Sequence, residues 1–152
     1  MVKVVASHRK ARFYYDILET FEAGIVLSGA EIKSVRAGKV SLAEGWVSVS
    51  GGVATLKQVF IHAYTNARLA ASVEQEQTRP RQLLLSKREL GKLEQSVQEK
   101  GLAVIPLSVY IKGRWAKVKI GLARGKKLHD KRHAEKKRTA EREIQAALKT
   151  RR

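Results

Sequence analysis

Residues 107–122, LSVYIKGRWAKVKIGL, decide the fold class of this chain. In residues 116–120, AKVKI, apolar and polar side chains alternate, which is the period of a half-buried β-strand. Lys112-Gly113 separates this stretch from an apolar run at 107–111 and suits a tight turn between antiparallel strands. The pattern therefore predicts an antiparallel hairpin.

Two other stretches favour β structure for the same reasons. Gly51-Gly52 lies between residues 46–50 and 53–61, and this arrangement predicts a second hairpin. Apolar residues also recur with a period of two near the start of the chain, which predicts a further strand there. The alternating residues of that strand are Phe13, Tyr15 and Ile17.

Two segments carry helix signals, each with a Ser-x-x-Glu capping box in front and a glycine behind. They run from Ser28 to Gly38 and from Ser86 to Gly101. In such a box the serine and the glutamate satisfy each other's free backbone amides, and the glycine allows the left-handed stop. We therefore predict helices near residues 29–37 and 87–100, with Lys33, Arg36 and Lys39 facing solvent or a ligand.

The predicted order of elements is β-β-α-β-β-loop-α-β-β, with a long polar loop from about residue 62 to 82. Short strands with a few helices indicate a mainly β fold, an antiparallel barrel with helices packed on it. We place this barrel in residues 1–121. Residues 122–152 hold twelve basic and four acidic side chains and few bulky apolar ones. We expect them to form a basic tail that is disordered when free.

The charge of the chain points to a polyanionic partner. Its 31 Lys and Arg residues against 14 Asp and Glu give a formal net charge of +17. Such an excess repels itself, and a nucleic acid, or as second choice an anionic membrane surface, would relieve it. We see no signal peptide and no apolar run of the roughly 20 residues that a membrane span needs, so we expect a cytoplasmic protein. The absence of cysteine excludes disulfides and thiolate metal sites.

Signals for catalysis are poor. The stretch Gly121-x-x-x-Gly125-Lys126 is one residue too short for a phosphate-binding loop, and Lys127 stands where that loop needs Ser or Thr. His129 and His133 have helical spacing, but no third ligand is evident. The nearby carboxylates of Asp16, Glu19 and Glu22 do not share one face of a strand. We therefore expect no catalytic residue, no metal and no cofactor.

Signals for binding are stronger, because basic residues cluster with aromatic ones. Arginine and lysine clusters attract phosphates, and exposed rings can stack on bases. About half of the aromatic rings are expected to belong to the core instead, because an alternating strand buries one face. The basic clusters lie at 9–12, at 79–81 leading to Lys87-Arg88, and at 114–119.

Five short segments, spread over nearly the whole chain, share the pattern of one family. In this order they resemble the small protein B family, whose members bind tmRNA in bacterial trans-translation. A single segment would be weak evidence, whereas five in register are specific. The segments are RKAR at 9–12, ETFEAG at 19–24, EIKSVRAGK at 31–39, RQLLL at 81–85 with KREL at 87–90, and GLARGKK at 121–127 with DKR at 130–132.

The resemblance implies an oligonucleotide/oligosaccharide-binding (OB) barrel with two or three packed helices, in agreement with the patterning. It implies a non-enzymatic adaptor that binds the tRNA-like domain of tmRNA and brings it to stalled 70S ribosomes. The tail would fold as a helix in the empty mRNA channel, against small-subunit rRNA, with Ile144 and Leu148 as an apolar anchor. His129, Asp130, Lys131 and Arg132 would then lie near the decoding centre.

The resemblance also assigns candidate RNA-binding residues. Glu22 and Leu84 match the family's tmRNA-binding glutamate and leucine, and His8 stands where the family has an asparagine. A carboxylate can face RNA only where it accepts hydrogen bonds from base or ribose donors, because phosphate would repel it. Gln82 replaces a residue that is usually basic. The basic RNA-binding candidates are Arg9, Lys10, Arg12, Lys33, Arg36, Lys39, Arg81, Lys126 and Lys127.

Two other interpretations stay open from the sequence. A structural ribosomal protein or an rRNA-binding assembly factor could use the same barrel, and would then be found on vacant ribosomes without tmRNA. An RNA-processing enzyme would instead have to turn over RNA. We expect a monomer, because no apolar stripe is left over for self-association.

Overall fold

The computed structural model describes residues 2–62 and 77–125, in which a seven-stranded antiparallel sheet closes into a ring. Three helices lie in the described residues: α1 (Ala11–Tyr14), α2 (Gly29–Arg36) and α3 (Lys87–Lys100). The strands are β1 (Val2–Ser7), β2 (Tyr15–Ile25), β3 (Val40–Ser41), β4 (Trp46–Ser50), β5 (Val53–Lys57), β6 (Phe60–Ile61), β7 (Arg81–Leu84), β8 (Ala103–Lys112) and β9 (Trp115–Gly125).

The strand order of the main sheet is β1-β8-β4-β5-β7-β2-β9, and a further pairing of β8 with β9 closes it. Six strands thus form the ring, while β1 pairs with β8 from outside. The short strands β3 and β6 form a separate pair. The predicted antiparallel barrel with packed helices is therefore confirmed, and every pairing in it is antiparallel.

Both predicted hairpins are present. Ser50 pairs with Val53, and Gly51 and Gly52 between them both have positive φ, as this turn requires. In the second hairpin Lys112 pairs with Trp115. One expectation was wrong. The strand after the first turn ends at Lys57 instead of reaching residue 61, because Gln58 has a φ of 59° and interrupts the extended backbone.

Both predicted helices begin at complete capping boxes. The side chain of Ser28 accepts a hydrogen bond from the Glu31 amide at 3.2 Å, and Ser86 does the same for Glu89 at 3.2 Å. Helix α3 ends before Gly101, which has the left-handed conformation. The buried faces of α2 and α3 pack on the barrel, and their ends agree with the predicted ranges to within one residue.

Three boundaries differ from the sequence prediction. Phe13 lies in α1 and not in a strand, because one helical turn buries Ala11 against Ile105 and Ala123. Strand β9 continues to Gly125, past the barrel end predicted at residue 121, because residues 122–125 still pair with β2 and the side chains of Leu122 and Ala123 are buried. Part of the predicted loop 62–82 is strand β7, while residues 63–76 lie outside the described residues.

The ring encloses the main hydrophobic core. Strands, both long helices and the segments between them contribute to it, so the barrel interior is filled and ligands can meet only its outer surface. Within the described residues no helix has the length and apolar character to cross a membrane. The core residues that are almost completely buried include Ala23, Val35, Leu56, Leu93, Val118 and Ile120.

Candidate nucleic-acid interface

Glu22 and Leu84 lie on the same outer face of the barrel, on the neighbouring strands β2 and β7, although they are far apart in the chain. Gly24, two residues after Glu22 on the same face of β2, pairs directly with Leu84 on β7. A Cβ atom at Gly24 would lie 3.3 Å from Leu84 Cβ, so the glycine lets this leucine lie against the strand. Leu84 is nevertheless 55% exposed. The outer face of these two strands therefore carries an exposed apolar side chain at Leu84 and a carboxylate at Glu22.

The Glu22 carboxylate has two partners on β8. The Tyr110 hydroxyl donates a hydrogen bond to Glu22 Oε2 at 2.5 Å, and Lys112 Nζ lies 3.6 Å from Oε1. The hydrogen bond from Tyr110 is the largest cause of the lowered pKa of Glu22; burial opposes it, and Lys112 and Lys117 add to the lowering. Glu22 is thus an ionised acceptor at neutral pH, with its side chain 42% exposed.

A groove of about 440 Å³ adjoins this carboxylate. Val2 and Val4 of β1 form an apolar wall, and the backbone pairing places Lys119 of β9 opposite Glu22. An apolar wall beside a carboxylate and a lysine suits an unstacked base, which needs a flat contact and polar partners at its edge. The remaining lining residues are Thr20, Phe21, Ser108 and Tyr110.

A second groove, of about 670 Å³, contains His8. The His8 backbone amide donates to the Leu107 carbonyl at 2.8 Å, which fixes the start of the basic segment. The ring atom Nδ1 is buried, and none of the described groups lies within hydrogen-bonding distance of it. Arg9 and Lys10 line the same groove and are exposed, as is Arg12 in α1. Two members of the predicted basic cluster, Arg9 and Lys10, therefore lie in the same groove as His8.

The basic residues predicted in and just after α2 are all on the surface. Lys33, Arg36 and Lys39 are exposed, as their spacing predicted. Lys39 directly precedes Val40 and Ser41, which line the groove with His8. Of these three residues, the structure thus places Lys39 next in sequence to the groove that contains Arg9 and Lys10.

Arg81 does not belong to the exposed basic surface, and this prediction needs correction. Its side chain is 1% exposed and donates to Glu31 Oε2 at 2.6 Å, to the Val59 carbonyl at 2.9 Å and to the Gln77 carbonyl at 3.1 Å. Arg79 forms a second ion pair with Glu31. This Arg79–Glu31–Arg81 cluster is not evident from the sequence, because Glu31 lies about 50 residues before the two arginines.

Burial and pairing have opposite effects in this cluster. Burial lowers the pKa of Arg81, and the bond to Glu31 acts against that shift. For Glu31, burial raises the pKa, but the hydrogen bonds from Arg79, from the Ser28 amide and from Arg81 outweigh it, so the net shift is downward. Glu31 therefore closes the capping box of α2 and neutralises a buried guanidinium at the same time. The cluster is a structural element and leaves no cation for RNA at Arg81.

The aromatic residues divide between surface and core, as expected. Trp115, beside the turn of the β8–β9 hairpin, is 71% exposed, whereas Tyr110 is buried. Trp46 was not singled out from the sequence, yet it is exposed, with Lys57 Nζ 5.1 Å from its ring centroid. No group of three or more potential metal ligands occurs in the part of the chain that the structure describes.

The remaining predicted site residues lie outside the described residues and stay predictions. In sequence they follow Gly125, the last residue of β9. They are Lys126, Lys127, His129, Asp130, Lys131, Arg132, Ile144 and Leu148.

The closed barrel, its basic outer surface and the carboxylate at a base-sized groove define a strongly basic protein of the OB-barrel class. The model of the SmpB protein family matches residues 5–150. The chain therefore belongs to the SmpB family. Relatives and a solved structure agree with this assignment over nearly the full length.

An SsrA-binding protein from Roseiflexus sp. (strain RS-1) is 50% identical over 149 residues, which cover 98% of this chain and 93% of the relative. The SsrA-binding protein of Microcystis aeruginosa is 47% identical over 148 residues, covering 97% of this chain and 95% of its own length. A solved structure described as "tmRNA-SmpB: a journey to the center of the bacterial ribosome" matches with a TM-score of 0.66 and 43% identity. It covers 83% of this chain and 86% of the solved chain.

Proposed function

We propose that this chain is an RNA-binding adaptor that binds the tRNA-like domain of tmRNA and delivers it to stalled ribosomes for trans-translation. It acts by binding alone and performs no catalysis, in the cytoplasm, as a monomer. The tail from residue 126 onwards probes the mRNA channel, and its cations enter only where no message already fills the phosphate-lined path.

One observation supports this proposal most directly: Glu22 and Leu84 lie on the same outer face of the neighbouring strands β2 and β7. The family resemblance assigns tmRNA contacts to these two residues from separate motifs, and the β2–β7 pairing joins them on one exposed face. Around them stand Lys112, Lys117 and Lys119, which suit the phosphates that flank a bound base. A structural rRNA-binding protein would need the lysines but has no evident use for the carboxylate.

The experiment compares binding of two RNAs by fluorescence anisotropy. The full-length protein is titrated into the tRNA-like domain of tmRNA and into an elongator tRNA, at physiological salt where the Debye length is about 8 Å. Low salt would hide the difference, because a net charge of +17 attracts any RNA. We expect a preference for the tmRNA domain of about a hundredfold, which is about 2.7 kcal/mol.

A matched pair of variants locates the preference. Glu22→Ala should reduce the affinity for the tmRNA domain roughly tenfold or more, because hydrogen bonds to a charged group contribute about 1.5–3 kcal/mol. Glu19→Ala removes the same charge from the same strand, at a residue that pairs with Lys92 away from the groove, and should leave the preference intact. Equal binding of both RNAs by the unmodified protein would contradict the proposal and favour the rRNA-binding alternative.

A further inference from the structure

The hydrogen bond between Tyr110 and Glu22 spans an entire strand. Glu22 lies on β2 and Tyr110 on β8, and β9 runs between them, since Gly24 pairs with Lys117 and Lys117 pairs with Tyr110. Two strands separated by a third are about 10 Å apart. Only a long side chain that lies flat over β9 can cross this distance. The contact between Tyr110 and Glu22 is therefore not a pair between adjacent strands but a side-chain contact across the outer face of β9.

The two ends of this bond differ in mobility. Tyr110 is 9% exposed and lies opposite Val4 of β1 on one side and Lys117 on the other, so its ring is held by packing. The Glu22 side chain is 42% exposed and has three rotatable bonds. A buried donor that holds an exposed carboxylate orders it before any ligand arrives, and this reduces the entropy lost on binding.

We propose that Tyr110 is a positioning residue for tmRNA binding, which holds Glu22 Oε2 so that Oε1 faces base or ribose donors of the RNA. This inference rests on the proposed function and adds a residue that acts through Glu22 without being the selective contact itself. Lys112 Nζ lies 3.6 Å from Oε1, and its side chain is 55% exposed, so a cation accompanies the carboxylate at this surface.

The charge state of Glu22 supports this role. An ionised carboxylate accepts hydrogen bonds and donates none, so it favours amino and hydroxyl groups and repels phosphate. The Tyr110 hydroxyl is the largest cause of the lowered pKa of Glu22. In turn, burial and the bond to Glu22 raise the pKa of Tyr110 far above its usual range, so its hydroxyl remains a donor.

A double-mutant cycle tests the proposal with the full-length protein. Tyr110→Phe keeps the packed ring and removes the hydroxyl, and we expect it to weaken binding of the tmRNA tRNA-like domain about tenfold, or about 1.4 kcal/mol. In a Glu22→Ala background the same change should have less than about a twofold effect, because the carboxylate to be positioned is gone. Equal losses in both backgrounds would mean that Tyr110 acts independently of Glu22, and would overturn the proposal.

The control for hydroxyl removal is Tyr15→Phe, at a half-buried tyrosine at the start of β2, and it should leave tmRNA affinity unchanged. A second measurement needs no RNA. Carboxyl ¹³C NMR of Glu22 should show its pKa rising towards the ordinary value in Tyr110→Phe but not in Tyr15→Phe. An unchanged Glu22 titration in Tyr110→Phe would show that the bond does not order the carboxylate, and would overturn the positioning role.

The outcomes separate this inference from the proposed function. A protein that prefers tmRNA over elongator tRNA, but keeps its full affinity in Tyr110→Phe, retains the function and loses only the positioning role. A protein without that preference loses both.

Discussion

Replacement of Glu31 by glutamine should destabilise the barrel strongly, although the change removes only one charge. Glu31 accepts from the Arg81 guanidinium at 2.6 Å and from the Ser28 amide at 2.9 Å, and it also pairs with Arg79. Glutamine has nearly the same shape, and its carbonyl oxygen can still accept from the Ser28 amide. The substitution therefore leaves the capping box in place and removes the negative charge beside Arg81.

The burial of Arg81 sets the magnitude. Its side chain is completely buried, whereas Arg79 retains 38% exposure and can be solvated by water. Removal of one partner of a buried ion pair typically costs about 3–5 kcal/mol, because the other charge stays buried and uncompensated. An exposed pair contributes only about 0–1 kcal/mol. We therefore expect Glu31→Gln to lower the free energy of unfolding by about 3 kcal/mol and Tm by roughly 10 °C.

Urea unfolding followed by circular dichroism measures this loss, and the chain offers a matched control. Glu89 occupies the same position in the capping box of α3, but its carboxylate faces only Ser86 and solvent-accessible surroundings. Glu89→Gln should change the stability by less than about 1 kcal/mol. If both variants lost the same amount, the Arg81 charge would not depend on Glu31, and the reasoning from burial would be refuted.

Two further predictions concern the stability of the barrel. The pKa of Glu31 is lowered in the folded state, so its contribution to the free energy of unfolding is complete above the unfolded pKa of about 4.3 and is lost as the pH falls through the folded pKa. Urea unfolding across this pH range should therefore show a smaller loss of stability for Glu31→Gln than for the unmodified protein. Gly45→Ala should lower the free energy of unfolding by about 1–3 kcal/mol, since its Cβ would lie 2.6 Å from Val59 Cγ2 and 2.9 Å from Pro106 Cγ. Gly91 on α3 has open space around it, so Gly91→Ala should raise the free energy of unfolding by about 0.5–1 kcal/mol. Urea unfolding of both variants measures these changes.

The elements that the sequence predicted well are those encoded locally. Each capping box lies within four residues, and each hairpin turn depends on two adjacent residues, so short-range patterns suffice for α2, α3 and both hairpins. Helix α1 was not predicted, because apolar residues at positions 13 and 15 fit one continuous strand as well as they fit a short helical turn followed by a strand. The burial of Ala11 that decides between them depends on β8 and β9, which are distant in the chain.

The site was predictable only in part, for a similar reason. The family resemblance named Glu22 and Leu84, but their adjacency comes from the register of β2 with β7. Arginine is usually a surface residue, so the burial of Arg81 becomes evident only when Glu31 is known to face it. Tyr110 could be recognised as a strand aromatic, whereas its bond across β9 to Glu22 required the order of three strands.

The acidic residue in this basic surface separates affinity from selectivity. Lys112, Lys117 and Lys119 gain energy from any phosphate backbone, so they strengthen binding to every RNA alike and make it depend on salt. Glu22 acts in the opposite direction, since it repels phosphate and gains only where an RNA presents amino or hydroxyl donors. A fixed carboxylate thus weakens the wrong complexes and stabilises the right one, and specificity needs both effects. In the role that we propose for Tyr110, its hydrogen bond keeps the Glu22 carboxylate on this surface, so that a ligand without donors meets a fixed negative charge.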